Sequence, residues 1–231
     1  MKSVIEIRNI SKKYGKVQAL SDVNISLSHG IFALLGPNGS GKTTLMNVLA
    51  GLLKPSGGEV LYNGTEIGKS GLAYRSKVGY MPQYTAMYPS FSVKEFLLYV
   101  AELKGLPREC EEEIDCLLSR VELSDVHDRR ISALSGGMKQ RLSLCTAVLG
   151  DPEILILDEP TAGLDPKQRV ALREFISEIA QNKTVIWATH IVSDVERLAD
   201  EVIFMKKGVA TLAARGESLE AQYLSFFGGG I

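Results

Sequence analysis

Residues 36–43 read GPNGSGKT, a match to G-x-x-x-x-G-K-[ST]. Glycines in such a loop let the backbone curl until several N–H groups aim at phosphate oxygens. A helix is expected from about Lys42, and its N-terminus adds the positive end of a dipole. Asn38, Gly39, Ser40 and Gly41 then form the cradle. Lys42 reaches the β- and γ-phosphates, the Thr43 hydroxyl ligates Mg²⁺, and Thr44 adds a further phosphate contact. Alone, the motif says nucleoside triphosphate and no more, since GTPases and small-molecule kinases share it.

The acid comes from EILILDEP, residues 153–160. An apolar strand delivers Asp158 to its C-terminal end, where ligands bind in open α/β sheets. Asp158 there can hold Mg²⁺, and Glu159 can orient and deprotonate an attacking water. Phosphoryl transfer asks mainly for positioning, charge neutralisation and an aligned nucleophile. An adjacent Asp-Glu pair is otherwise a solvated turn, but this pair ends an uncharged strand. His190 ends a second apolar strand, VIWATH. A lone histidine there is more often structural than catalytic. Beside the other two motifs it becomes a candidate for sensing a γ-phosphate and positioning water. His29 and His127 receive no role.

A second glycine pair stands in LSGGMKQR, residues 134–141, directly before a helical pattern. That is again how a phosphate site at a helix start looks, so the chain carries two.

The elements that must place these residues follow from periodicity. Val23, Ile25 and Leu27 alternate with polar residues as in a half-buried strand. IFALL at 31–35 runs into the first glycine loop, and the helix after it ends near Gly51. Asn63-Gly64 marks a hairpin turn after EVLY. From Ser92 to about Gly150 the pattern is helical. Ser92-Val-Lys-Glu95 reads as a capping box, residues 109–121 form a second helix with an acidic first turn, and a third starts at LSGG. Met138, Leu142, Cys145 and Leu149 should share its apolar face. After Asp151-Pro152 the α/β rhythm returns, with strands at EILILD, TVIWATH and EVIFM and helices at 167–180 and 191–199. The terminal FFGGGI looks frayed.

Composition agrees with a globular chain. Its 231 residues are 45% hydrophobic and 23% charged, with net charge −1. Those are ordinary globular shares, and they give no global basic footprint for nucleic acid. Three cysteines form no CxxC pair and read as reduced cytosolic thiols, with Cys145 packing in the core. MKSVIEIRNI is too short and too charged for a secretory signal. No stretch approaches the roughly 18–20 apolar residues of a membrane helix.

Taken together, Tyr14, GPNGSGKTT at 36–44, Gln83, LSGG at 134–137, ILILDEP at 154–160, Gly163-Leu164-Asp165 and His190 resemble, in that order, the ATP-binding cassette (ABC) ATPases. The resemblance covers about residues 4–212, and LSGG is its discriminating piece. It implies an α/β fold: a P-loop NTPase (RecA-like) core, an N-terminal antiparallel β subdomain and an inserted α-helical subdomain. The core would take 1–85 and 153–215, the helical part 86–152, and a tail 216–231. It also assigns roles. Tyr14 would stack on adenine. Gln83 would contact Mg²⁺ or the attacking water and join the core to the helical lobe. Glu159 would be the general base and His190 the switch histidine. Asp165 would act across a dimer interface. Ser135, Gly136 and Gly137 would cover the γ-phosphate of ATP held by a second ATP-binding subunit, homologous or identical, in a head-to-tail dimer. The family usually has Gln after LSGG, whereas this chain has Met138, a variant found in many exporter cassettes.

Three jobs are compatible with such an ATPase: a transporter subunit, a DNA-repair or chromosome ATPase, and a soluble translation factor. Repair and chromosome ATPases insert long coiled coils where this chain has only residues 45–133. Translation factors usually carry two cassettes, and this chain has one. The expectation is a transporter subunit, an exporter by the Met138 variant and the lack of an evident regulatory domain after about residue 215. It would sit peripherally on the cytoplasmic face of a membrane and use a separate transmembrane permease, without nucleic acid. YTAMYPSF at 84–91 is the expected docking segment, although its aromatics could instead staple the helix that starts near Ser92.

Overall fold

Short uncharged strands build the centre, and two layers cover them. The structure, a computed structural model, describes residues 4–214 and 218–228. Strands β1 (Ile5–Tyr14) and β2 (Val17–Leu27) form a long hairpin, and β3 (Gly30–Leu35) runs into the first glycine loop. Helix α1 (Lys42–Leu49) follows, then β4 (Gly57–Tyr62) and β5 (Thr65–Glu66), turned at Asn63 and Gly64 with φ of 48° and 81°. Positive φ at both positions is what a two-residue hairpin needs. Helix α2 (Ile67–Arg75), kinked at Gly71, leads to β6 (Val78–Met81). Neither α2 nor β6 was expected from the sequence.

The helical stretch comes next: α3 (Val93–Leu103), α4 (Glu111–Arg120) and α5 (Gly136–Val148). The capping box is formed, with Glu95 N–H donating to Ser92 Oγ at 3.2 Å and Ser92 N–H to Glu95 Oε2 at 2.7 Å. The single apolar face expected of α5 is not what forms. Arg141, Ser143, Leu144, Ala147 and Val148 are buried together with Leu142 and Cys145, and Leu149 is the C-cap. The helix lies between the sheet and helices α3 and α4, so most of its circumference is covered. Cys145 is fully buried as expected, and burial pushes its thiol up to about 12.

Strand β7 (Ile154–Asp158), α6 (Pro166–Ile179), β8 (Thr184–Thr189), α7 (Val192–Val195), β9 (Glu201–Lys206) and β10 (Val209–Leu212) complete the sheets. α7 is shorter than the helix expected over 191–199. The chain must turn into β9, which Asp200 anchors by accepting from Ile31 N–H at 2.8 Å through its carboxylate. The last element, α8 (Leu219–Gly228), replaces part of the frayed end expected at 226–231, of which 229–231 lie outside the described residues. Its Phe226 stacks on Phe204 with ring centroids 5.2 Å apart, and Tyr223 and Phe227 join the same cluster.

One sheet is antiparallel, in the order β2-β1-β4-β5. The other has the order β10-β9-β3-β8-β7-β6, parallel from β9 to β6 and antiparallel at β10. Alternation along its strands feeds two apolar clusters. Phe32, Leu34 and Ile156 pack with α1 and the antiparallel sheet, whereas Ala33, Leu35, Leu157 and Trp187 pack with the helical stretch. Burial on both faces explains why these parallel strands read as continuous apolar runs.

Candidate functional site

Register alone brings the chemistry to one edge. Leu35 pairs with Thr189, and Asp158 pairs with Ala188. The residues that follow each strand, Gly36, Glu159 and His190, therefore emerge side by side at the C-terminal ends of β3, β7 and β8. Gln83 follows β6 at the same edge. One cleft of about 310 Å³ gathers the loop from Asn38 to Thr44 with Gln83, Asp158 and Glu159.

Two positions of the loop leave no room for a side chain. A Cβ on Gly36 would stand 2.4 Å from the Met205 carbonyl oxygen. Gly41 has φ +109°, and its Cβ would meet the Ala19 carbonyl oxygen at 2.7 Å. Lys42 folds back across the loop and donates to the Gly36 carbonyl at 2.6 Å. Burial pushes its amine below the ordinary value, against the pull of the Glu159 and Asp158 carboxylates. Ser40 Oγ is buried without a hydrogen-bond partner. Such orphans cost free energy and point to a missing group; here the orphan belongs to the glycine loop itself.

Thr43 Oγ1 donates to Asp158 Oδ2 at 3.0 Å, joining the glycine loop to the end of β7. Burial raises the Asp158 carboxyl; the Thr43 hydrogen bond lowers it, the Glu159 charge raises it and Lys42 lowers it. Next to it, Glu159 is 5% exposed and sits at φ 51°. A left-handed glutamate carries backbone strain on the order of 1–3 kcal/mol, which is stored chiefly at functional sites. Its Oε1 lies 2.8 Å from His190 Nδ1, and its Oε2 accepts from Thr189 Oγ1 at 3.2 Å. An ionised carboxylate only accepts, so Nδ1 carries the proton in this pair.

Other expected residues lie outside that cleft's lining. Tyr14 is 48% exposed at the end of β1, with Lys12 Nζ 5.4 Å from its ring centre. Ser135 caps α5, accepting from Met138 N–H at 3.2 Å. Gly136 lines a second cleft of about 320 Å³, which it shares with Gln83 and Tyr84. Gly137 is tightly placed, since a Cβ there would lie 3.1 Å from Gln168 Oε1. Asp165 caps α6, accepting from Gln168 N–H at 2.9 Å. A wider cavity of about 690 Å³ between the end of α1 and α2 lies apart from all of these residues.

Sequence reasoning missed three contributors. Thr189 supplies the second hydrogen bond to Glu159, and its signal was a polar residue ending an apolar strand. Gln140 Nε2 donates to the Glu159 carbonyl at 2.8 Å, tying the LSGG helix to the acidic turn. Tyr223 on α8 lies within reach of the Glu159 charge; burial raises its phenol first and that charge raises it further.

Fold and strand-end loops together define a P-loop nucleoside-triphosphate-binding protein. A family model described as ABC transporter matches residues 20–162. The chain belongs to this family, as its ATP-binding, ATP-hydrolysing part. It is 38% identical over 221 residues to the uncharacterized ABC transporter ATP-binding protein YxlF of Bacillus subtilis, covering 95% of this chain and 73% of that one. It is 35% identical to the Nod factor export ATP-binding protein I of Rhizobium meliloti, covering 97% and 70%. ABC transporter A family member 1 of Dictyostelium discoideum is 37% identical, and the match spans 25% of its length. A solved structure titled as the ATP-binding subunit of an ABC transporter superposes with a TM-score of 0.88 at 28% identity, covering 96% of this chain and 99% of that one.

Proposed function

We propose that this chain powers export through a separate transmembrane subunit, by ATP-driven closure of two cassettes. The observation that carries the reading is that Thr43, Asp158 and Glu159 share the glycine-loop cleft, with Thr43 bonded to Asp158 and Glu159 to His190. Loop N–H groups and Ser40 Oγ take the phosphates, and Lys42 exchanges the Gly36 carbonyl for them. Thr43, Asp158 and Gln83 would hold Mg²⁺. Hard oxygen donors from one hydroxyl and one carboxylate suit an ion that keeps water and phosphate ligands; bound there, it would neutralise developing phosphate charge. Glu159 takes the proton of the attacking water, and His190 holds Glu159 in place. Tyr14 stacks on the base. Ser135, Gly136, Gly137 and Asp165 serve the partner's ATP, so the site completes only when two cassettes meet. ATP shifts the population toward the closed pair, and hydrolysis releases it.

We place the permease contact at residues 84–91, on the cleft shared by Gln83, Tyr84 and Gly136. Tyr88 and Phe91 cluster with Tyr99 of α3 at 5.2–5.7 Å, which supports a stapling role for that pair. Tyr84 is 85% exposed and is the residue left for a partner. In this reading 86–152 moves as a lobe against 1–85 and 153–215, and the chain works on the cytoplasmic face of the membrane. No helix among the described residues is long and apolar enough to cross it. Met138 and the similarity to a Nod factor export protein support the outward direction. Affinity purification from membranes tests the reading. A polytopic membrane protein should co-purify, and Tyr84→Arg should weaken its retention while ATP binding persists. Recovery with DNA or ribosomes instead would contradict it.

A further inference from the structure

Behind Glu159 and His190 runs a closed ring of hydrogen bonds. Thr189 Oγ1 donates to Glu159 Oε2 and accepts from Ile191 N–H at 3.0 Å. The Ile191 carbonyl accepts from Asp194 N–H at 3.2 Å. Asp194 Oδ2 accepts from Thr161 Oγ1 at 2.5 Å, and Pro160 alone separates Thr161 from Glu159. The ring thus links the turn after β7 to the turn after β8.

Its far side is closed by side chains with no solvent to compete for them. Thr161 is 0% exposed and Asp194 is 2% exposed. Among the described residues the ion-pair partner of Asp194 is Arg173, whose Nη1 lies 3.9 Å from Asp194 Oδ1 while donating to the Ser193 carbonyl at 2.8 Å. A buried carboxylate costs several kcal/mol of desolvation unless its hydrogen bonds are made. A Thr–Asp pair is therefore an expensive way to fill this space, where two apolar side chains would serve packing alone. α7 is only four residues long, and Asp194 ties it to the Glu159 turn by a side-chain hydrogen bond.

We propose that Thr161 and Asp194 are positioning residues for ATP hydrolysis. The pair clamps the Glu159 turn to the His190 turn and so keeps Glu159 Oε1 within hydrogen-bonding distance of His190 Nδ1. The inference rests on the reading of Glu159 as general base. Neither residue lines the glycine-loop cleft; both act through Glu159 and His190. Catalytic geometry is steep, and misplacement by about 1 Å can cost about 10²-fold in rate.

The test measures steady-state ATPase with Mg²⁺, nucleotide affinity and melting temperature on the full chain. Thr161→Val should lower kcat at least about tenfold and leave ATP affinity unchanged, and Thr161→Ser should restore the rate. Pairing Thr161→Val with Asp194→Leu removes both polar partners, which should return the melting temperature toward that of the parent. The clamp predicts that kcat stays low in this double variant. Recovery of kcat along with stability would reduce the pair to packing and overturn the proposal, as would full turnover in Thr161→Val. Should Thr161→Val fail to fold, the double variant decides alone. Glu159→Gln assayed in parallel separates the two claims: its retention of turnover sinks the general base, whereas its loss beside a normal Thr161→Val sinks only the clamp.

Discussion

Glu159 Oε1 accepts a hydrogen bond from His190 Nδ1 at 2.8 Å, across the ends of two adjacent parallel strands. The carboxylate is nearly buried, whereas the imidazole side chain is 55% exposed. A base that lines the cleft and is held from behind by an imidazole is arranged for proton transfer from water. Glu159→Gln should lower kcat by ~10²–10⁴-fold, the usual loss for a general base. ATP affinity should persist, because the phosphate cradle is untouched. ATPase rates and nucleotide titration on one preparation check both statements.

Asp158 gives a pH-dependent prediction. Its folded carboxyl holds a proton more tightly than the ordinary carboxylate value of about 3.9, chiefly through burial. The folded state therefore binds more protons than the unfolded chain in that window, and stability falls as pH rises through it. The cost appears as the folded carboxyl loses its proton. Asp158→Asn keeps an acceptor for Thr43 and removes the charge. It should raise the melting temperature of the nucleotide-free protein at pH 7. The gain should shrink as pH approaches about 4, and Mg²⁺-dependent turnover should be lost. Melting curves across pH, with ATPase assays alongside, give the answer.

Backbone geometry in the glycine loop separates two neighbours. Gly41 combines φ +109° with a Cβ position 2.7 Å from a carbonyl oxygen, whereas Gly39 has φ +77° and open space. Gly41→Ala should cost at least about 1–3 kcal/mol of strain and weaken ATP binding by more than Gly39→Ala does. Calorimetric titration with ATP on both variants measures the difference. Equal losses would mean that close approach to β2 does not shape the cradle.

Much of this arrangement is legible in the sequence. Apolar runs ending in Gly36, Asp158 and His190 gave three parallel strands and placed their last residues at one edge, because parallel strands share a direction. The capping box at Ser92 and the turn at Asn63-Gly64 are local chemistry, and local chemistry reads well. Long-range partners did not. Nothing in the spacing of Thr161 and Asp194 shows that they meet, since the pair exists only once β7 and β8 are in register. α5 read as amphipathic because Arg141 and Ser143 are polar. Tertiary contacts bury both, and Arg141 Nη1 finds the Val121 carbonyl at 2.6 Å. α8 is hidden for a different reason: the glycines at 228–230 suggest fraying, although Tyr223, Phe226 and Phe227 are spaced i, i+3, i+4 as one helical face requires.

Residues Ser135 to Gly137 lie off the glycine-loop cleft of their own chain, and their use for ATP depends on a second cassette. Light scattering of Glu159→Gln with ATP and Mg²⁺ addresses that dependence most directly. The account predicts a dimer that forms only with ATP and disappears when Ser135→Arg is added, while each monomer still binds ATP with nearly unchanged affinity. A monomer at saturating ATP, or loss of monomer affinity in Ser135→Arg, would contradict a site completed by two chains.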